Sequence, residues 1–220
     1  MIFKNGTVNN LKDISSARRI PSPPNLRLTK RQLQAMATKD KLYNAAVAEI
    51  NRKGFSNVSI EDITTAANVA KGTFYTHFES KEALVFYTFK HSDDMYRKAY
   101  EKVRNLDFLN QVTRFVRISY IEYEKRGKGI IKAIITNYFS MSEQNVYSKD
   151  RYLVRCLGDI VERGKAEGVL STETETDRYV SILLSTMVGV EVMWCFDNQG
   201  RSLANMMEEA VRAVARGMME

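Results

Sequence analysis

Proline sets the first limit on this chain. Its three prolines, Pro21, Pro23 and Pro24, fall close together, and residues 25–220 contain none. Proline removes an amide donor and clashes with the preceding helical turn. A stretch this long without it is free to be helical almost throughout. Hydrophobic residues make up 44% and charged residues 27% of the 220, an ordinary globular balance. The length is enough for one or two domains with a real core.

Several classes are excluded early. Two cysteines, Cys156 and Cys195, are too few for a disulfide framework or a four-ligand zinc site, and free thiols suit a reducing cytoplasm. The longest apolar helix candidate runs from Tyr179 to Val190 and ends at Glu191, short of the ~20 residues that cross a bilayer. No apolar stretch with a small-residue cleavage site follows the basic N-terminus, so no secretory signal is expected. The expectation is a soluble, cytoplasmic, all-α protein with no membrane partner, no metal and no cofactor.

Charge is unevenly placed. Residues 1–81 carry 13 Lys and Arg against 6 Asp and Glu, whereas residues 82–220 carry 20 of each. The whole surplus of +7 therefore lies in the first third. Residues 1–28 mix Asn, Ser, Pro and basic side chains without periodicity and read as a flexible basic arm. An arm of that kind is either a tail or a minor-groove contact.

The segments that follow are punctuated as helices. Thr29-x-x-Gln32 is a capping-box pattern, and a helix with the stripe Leu42, Ala45, Ala46, Ile50 is expected over 38–53, stopped by Gly54. Ser59-Ile60-Glu61-Asp62 is a second capping box, opening a short helix whose Ile60, Ile63 and Ala67 share a face. After Asn68-Val69 another short helix spans about 70–77. Longer helices are expected at about 81–104, 109–126, 130–141, 150–167, 176–196 and 202–219, separated by Gly-rich or polar segments.

Two short helices joined by a tight turn form a helix-turn-helix. On the second, Phe74 and Phe78 share an inward face with Ala70 beside them. Gly72, Thr73 and Thr76 lie opposite, flanked by Tyr75 and His77. Glycine removes bulk where a helix approaches bases, and threonine offers a methyl and a hydroxyl to the groove. Lys71, His77 and Lys81, with the helix starts near Ser59, Lys71 and Lys81, frame that face with phosphate-binding groups.

The run Val58-Ser59-Ile60-Glu61-Asp62-Ile63, then Val69-Ala70-Lys71-Gly72-Thr73-Phe74-Tyr75-Thr76-His77-Phe78-Glu79-Ser80-Lys81, preceded by Ala45-Ala46 and Gly54-Phe55, resembles the DNA-binding head of the tetracycline-repressor (TetR) family. The resemblance covers about residues 38–90. It implies all-helical subunits that dimerise, bind palindromic double-stranded operators and are usually released by a small molecule in the body. It matches Ser59, Lys71, Thr73, Tyr75, Thr76, His77 and Lys81 to DNA-contacting positions. Three residues depart from the pattern: Asn68 stands for a usual glycine, Ala70 for a usual serine, and Glu49 occupies a normally apolar stripe position.

By this reading the chain divides into an arm at 1–28, a three-helix DNA-binding head at 29–84 and a helical effector-binding and dimerisation body at 85–220. The body holds 16 of the 22 aromatic residues. Tyr96, Tyr100, Phe115, Tyr120, Tyr123, Tyr138, Phe139 and Tyr152 are the candidates for a pocket that takes a flat or amphipathic ligand. Leu183, Met187, Val190 and Trp194 form a stripe with Gly189 beside it, and Met207, Ala210 and Val214 continue it on the last helix. These eight are the expected homodimer interface. No nucleophile elbow, phosphate loop or zinc motif is present, so the expected function is a ligand-responsive repressor and not an enzyme. Control by a protein partner, or no effector at all, is the alternative.

Overall fold

In the computed structural model the described residues are 29–138 and 148–219. Both the expected arm and Phe139 lie outside them. Every regular element among them is helical. The chain divides into two compact units at Met36 and Ala37. In the described part of the first unit, Thr29 and Gln32 form a reciprocal cap. The Thr29 amide donates to Gln32 Oε1 at 2.8 Å, and the Gln32 amide donates to Thr29 Oγ1 at 3.2 Å.

From that cap α1 (Lys30–Lys53) runs without a break, joining the helix start signalled by the Thr29 capping box to the helix expected over 38–53. Leu42, Tyr43, Ala46 and Ile50 form its buried stripe. Glu49, the apolar-position exception, pairs with Arg52 at 2.6 Å and Lys53 at 3.1 Å. Gly54 ends the helix at φ 79°, and a single 3-10 turn (Phe55–Asn57) leads to α2 (Ile60–Ala66) and α3 (Lys71–His77).

The chain continues into α4 (Lys81–Val103), whose Tyr87 and Thr88 meet Phe78 and Tyr43. It continues through α5 (Phe108–Glu124), α6 (Lys128–Thr136), α7 (Tyr152–Ala166), α8 (Thr176–Phe196) and α9 (Leu203–Met218). α6 stops earlier than its sequence suggested. Asn137 turns both its backbone and its side-chain amide onto the Ala133 carbonyl, at 3.2 and 2.8 Å. α5 lies along α9, held at its surface by Arg117, which donates to Glu208 at 2.6 Å.

α8 is 21 residues with a mean hydropathy of 1.6 over its most apolar window, long and apolar enough to cross a bilayer. Its inner face, Leu183, Leu184, Met187 and Trp194, is buried in the body together with Glu191.

Candidate nucleic-acid interface and body cavity

Local chemistry builds the head. The Ser59 hydroxyl accepts the Asp62 amide at 3.0 Å, and Asp62 returns a carboxylate to the Ser59 amide at 2.8 Å. Lys53 donates to the same carboxylate at 2.7 Å. The Lys53 ammonium, with Ser59 behind it, holds the Asp62 carboxyl well below the usual range. One acidic side chain thus caps α2 and ties it to the end of α1. Between α2 and α3 the chain turns at Asn68, whose φ of 49° is the only positive value at a non-glycine residue among those described. Asparagine tolerates that region better than most side chains, which is why it replaces glycine without harm.

α3 is locked from inside and bare outside. Phe74 and Phe78 are buried, while Ala70, expected beside them, is exposed at the N-cap position and makes no side-chain cap. On the outer side Gly72 faces open space, since a Cβ there meets nothing within 4 Å. Tyr75 is 52% exposed and Thr76 is exposed. The Thr76 hydroxyl donates back to the Gly72 carbonyl at 3.1 Å, so its proton is used within the helix and its lone pair remains. Thr73 and His77 are half-buried flanks. Burial, reinforced by the positive charge of Lys39, pushes the His77 imidazole below its ordinary value. At neutral pH it is a neutral hydrogen-bonding group rather than a cation.

The two framing lysines differ. Lys71 is exposed and pairs with exposed Glu61 across the α2–α3 turn. That contact raises the lysine and lowers the carboxylate. Lys81 is turned inward. Its ammonium donates to the carbonyls of Phe55 at 2.7 Å and Val58 at 2.8 Å, and it sits 4.3 Å from the centre of the Phe55 ring. Those contacts fix the 3-10 turn that presents Ser59.

Head and body are joined at one crowded turn. The Asn51 side chain, on α1, donates to the Arg126 carbonyl at 2.6 Å and accepts from the Ile130 amide at 3.1 Å. The turn can approach that closely only because residues 127 and 129 are glycines. A Cβ on Gly129 would stand 2.7 Å from the Asn51 Cα, and Gly127 has φ 92° with its Cβ position 2.5 Å from the Asn51 amide. Arg126 reaches back to α4, donating to Ser92 Oγ at 2.6 Å. Lys128 reaches to the end of α8, donating to the Asp197 carbonyl at 2.7 Å and lying 4.7 Å from the Trp194 ring centre. Helix α8 is therefore tied to α1 through four consecutive residues, Arg126 to Gly129.

The body contains a small cavity of about 30 Å3, lined by Tyr96, Tyr120, Tyr123, Tyr138, Arg151, Leu153, Leu184, Met187, Val188 and Glu191. It brings together four of the expected pocket aromatics. Phe115 is core, in ring contact with Tyr96 and Tyr100. Tyr152 stands under the Arg155 guanidinium. Glu191 and Arg151 were not anticipated as lining groups. The one available signal was that Glu191 is a lone charge between the apolar halves of α8. Burial pushes its carboxyl up to about 7, against the opposing hydrogen bond from Tyr120 and the charge of Arg151.

The expected dimer residues separate by face. Leu183, Met187, Trp194 and Met207 are in the subunit's own core, whereas Gly189, Val190, Ala210 and Val214 are exposed or half-buried. On the same outer side of α8 lie Ile182, Met193 and Phe196, the last two 61% and 71% exposed. The sequence stripe had followed the inner face. α8 is apolar almost all round, so its periodicity could not tell inside from outside.

Comparison with known proteins agrees with this architecture. The sequence profile described as "Bacterial regulatory proteins, tetR family" matches residues 42–88. The probable acrEF/envCD operon repressor of Escherichia coli (strain K12) is 22% identical over 195 residues, covering 84% of this chain and 89% of that protein. The fatty acid degradation regulator FadR from Bacillus halodurans superposes with a TM-score of 0.66 at 20% identity, over 82% of this chain and 96% of that one. Thermus thermophilus FadR, solved in complex with lauroyl-CoA, gives a TM-score of 0.63 at 20% identity, over 83% and 95%. Fold and head together define a helix-turn-helix transcriptional regulator. Residues 42–88 carry the DNA-binding part of the TetR family of bacterial regulatory proteins, whose members are regulators rather than enzymes.

Proposed function

We propose that the protein is a cytoplasmic repressor that binds a palindromic operator as a homodimer and is released by a small molecule entering the body. Residues 29–84 act as the DNA-binding part and residues 85–220 as the effector and dimerisation part. The observation that carries the DNA-binding half is α3 itself: a polar outer face on a helix whose inner face is locked by Phe74 and Phe78. Gly72, Thr73, Tyr75, Thr76 and His77 meet base edges, while Ser59 and Lys71 meet phosphate and Lys81 positions the turn that carries Ser59. The Arg126–Gly129 junction supports effector control, because movement of α8 around the cavity is transmitted to α1. The lauroyl-CoA bound by the Thermus relative supports a body ligand in general terms. The exposed Ile182, Met193 and Phe196 support a second copy on the α8–α9 face.

Operators selected by the full chain from random duplexes test this reading. The expected sites are inverted repeats, with half-sites one helical turn or more apart. Thr76→Ala changes the base preference, and Lys71→Ala weakens all sequences alike and lowers the salt slope. Selection of no preferred sequence would overturn the assignment.

One observation favours the second reading, control by a protein partner or no effector. The cavity, at about 30 Å3, has room for a water or two rather than a drug-sized molecule. Release of operator by a compound that also raises the melting temperature decides for the small molecule.

A further inference from the structure

α6 has little of its own to start it. Its N-cap position is Gly127, which offers no side-chain acceptor, and its first turn holds no acidic residue. Lys128, the first residue, instead puts a cation at the positive end of the helix dipole. Gly129 follows, and glycine is a poor helix former. Five of the nine residues are β-branched, which lowers helix propensity further. Nine residues are also too few for a helix to hold in water alone.

The missing cap comes from α1. Asn51 Oδ1 accepts from the Ile130 amide at 3.1 Å, across 79 positions of sequence. Ile130 is the third residue of α6, whose amide an N-cap side chain ordinarily takes. Asn51 Nδ2 meanwhile donates to the Arg126 carbonyl just ahead of the helix, at 2.6 Å, so one side chain fixes both sides of the Gly127 corner. Lys53, on the same turn of α1, donates to Asp62 at 2.7 Å, and Asp62 closes the capping box of α2 with Ser59. The last turn of α1 therefore sets two helix starts: α6 directly, and α2 through Asp62. We propose that Asn51 is a positioning residue for DNA binding: it caps α6 from α1, so that the first turn of α6 and the seat of the helix-turn-helix form and loosen together.

An operator that fixes α1 thus protects the start of α6, and loosening of α6 frees α1 in the same measure, because such coupling is reciprocal. The consequence for DNA rests on the operator reading above; the cap itself does not. Gly129 supplies a contrast between this account and a local one. A Cβ there would stand 2.7 Å from the Asn51 Cα and 2.9 Å from the Ile50 carbonyl oxygen, backbone atoms that cannot swing aside. Gly129→Ala therefore pushes α6 off α1 and loosens it. Within α6 alone the same substitution strengthens the helix, since alanine is the better helix former. The two accounts differ in sign.

Amide hydrogen exchange of the full chain, read on peptides spanning residues 128–136, tests this. Wild type, Asn51→Ala and Gly129→Ala are compared with and without the operator duplex selected as above. In the free variants exchange should be about two- to thirtyfold faster than in wild type, the range for a lost N-cap, with peptides from α7 unchanged. Operator should slow exchange there in the wild type and slow it less in both variants, a response that a merely structural side chain would not alter. Circular dichroism reports whether each variant is folded, and the wild-type response to operator needs no variant. Slower exchange in Gly129→Ala, or wild-type rates in Asn51→Ala, would mean that α6 starts itself, and overturns the proposal. So does wild-type exchange that operator leaves unchanged. If selection yields no preferred duplex while both variants exchange faster, the cap is supported and the failure belongs to the operator reading.

Discussion

Head and body treat polarity in opposite ways. In the helix-turn-helix, Phe74 and Phe78 point inward and charges are matched locally: Lys53 with Asp62 and Glu49, Lys71 with Glu61, Lys81 with two carbonyls. The body breaks both habits on one helix. α8 exposes Met193 and Phe196 and buries Glu191. Exposed large apolar groups and buried acids are each costly in a lone subunit. The head looks finished without DNA, whereas the outer face of α8 is a place where a further molecule would repair an imbalance.

The outer face of α8 carries the largest expected effect. Phe196→Asp places a charge where a second copy should pack. In a twofold interface each substitution acts twice. Losing about 1.5–3 kcal/mol per buried side chain then raises the dimer dissociation constant at least about a hundredfold. Sedimentation velocity across a dilution series reads this directly. An unchanged oligomeric state in the variant would mean that the exposed face has no such partner.

The buried acid comes next. Glu191 is raised from 4.5 to about 7 in the folded protein. A carboxyl raised by folding contributes stability that is full below the unfolded value and lost as pH rises through the folded one. Relative to Glu191→Gln, the wild type should gain about 3 kcal/mol between pH 8 and pH 4.5. Urea denaturation of both proteins at several pH values isolates the difference, because the other carboxyls are common to both. Parallel pH profiles would show that Glu191 is better solvated than its burial indicates.

The same contrast explains what could be read from the residues beforehand. The head is built from contacts within a few positions: Ser59 with Asp62, the turn at Asn68, Phe74 with Phe78. A linear pattern records such contacts. The body is built from contacts between distant helices, and its patterns are ambiguous. On α8 nearly every position is apolar, so the stripe Leu183, Met187, Trp194 fitted an interface and a core equally well. The meeting of Tyr120 with Glu191 spans 71 positions, and no local spacing encodes it. Lys81 shows the limit within the head. Its place in the motif was plain, but not the direction of its ammonium.

That direction yields a middle-sized effect. Lys81→Met keeps the aliphatic stem and removes both hydrogen bonds to Phe55 and Val58. Hydrogen bonds involving a charged group contribute about 1.5–3 kcal/mol each, so the unfolding free energy read from urea denaturation should fall by at least about 1.5 kcal/mol. Its DNA binding should weaken through a misplaced Ser59. If stability is unchanged and only the salt slope of DNA binding falls, Lys81 faces phosphate when DNA is bound, and its inward contacts are incidental.

The smallest effect concerns the other lysine. Glu61→Gln removes the exposed partner of Lys71 but leaves the helix backbone and the Ser59–Asp62 cap untouched. Exposed pairs of this kind add little to stability, so the denaturation midpoint should stay within error. Binding should respond instead, because Lys71 no longer has a carboxylate competing with phosphate and one negative charge leaves the surface that meets DNA. Affinity should rise modestly at low salt, and the slope of affinity against salt should steepen by up to about one counterion. A lower melting temperature with an unchanged slope would reverse the assignment, making the Lys71–Glu61 pair a brace between α2 and α3 and leaving phosphate contact to other groups.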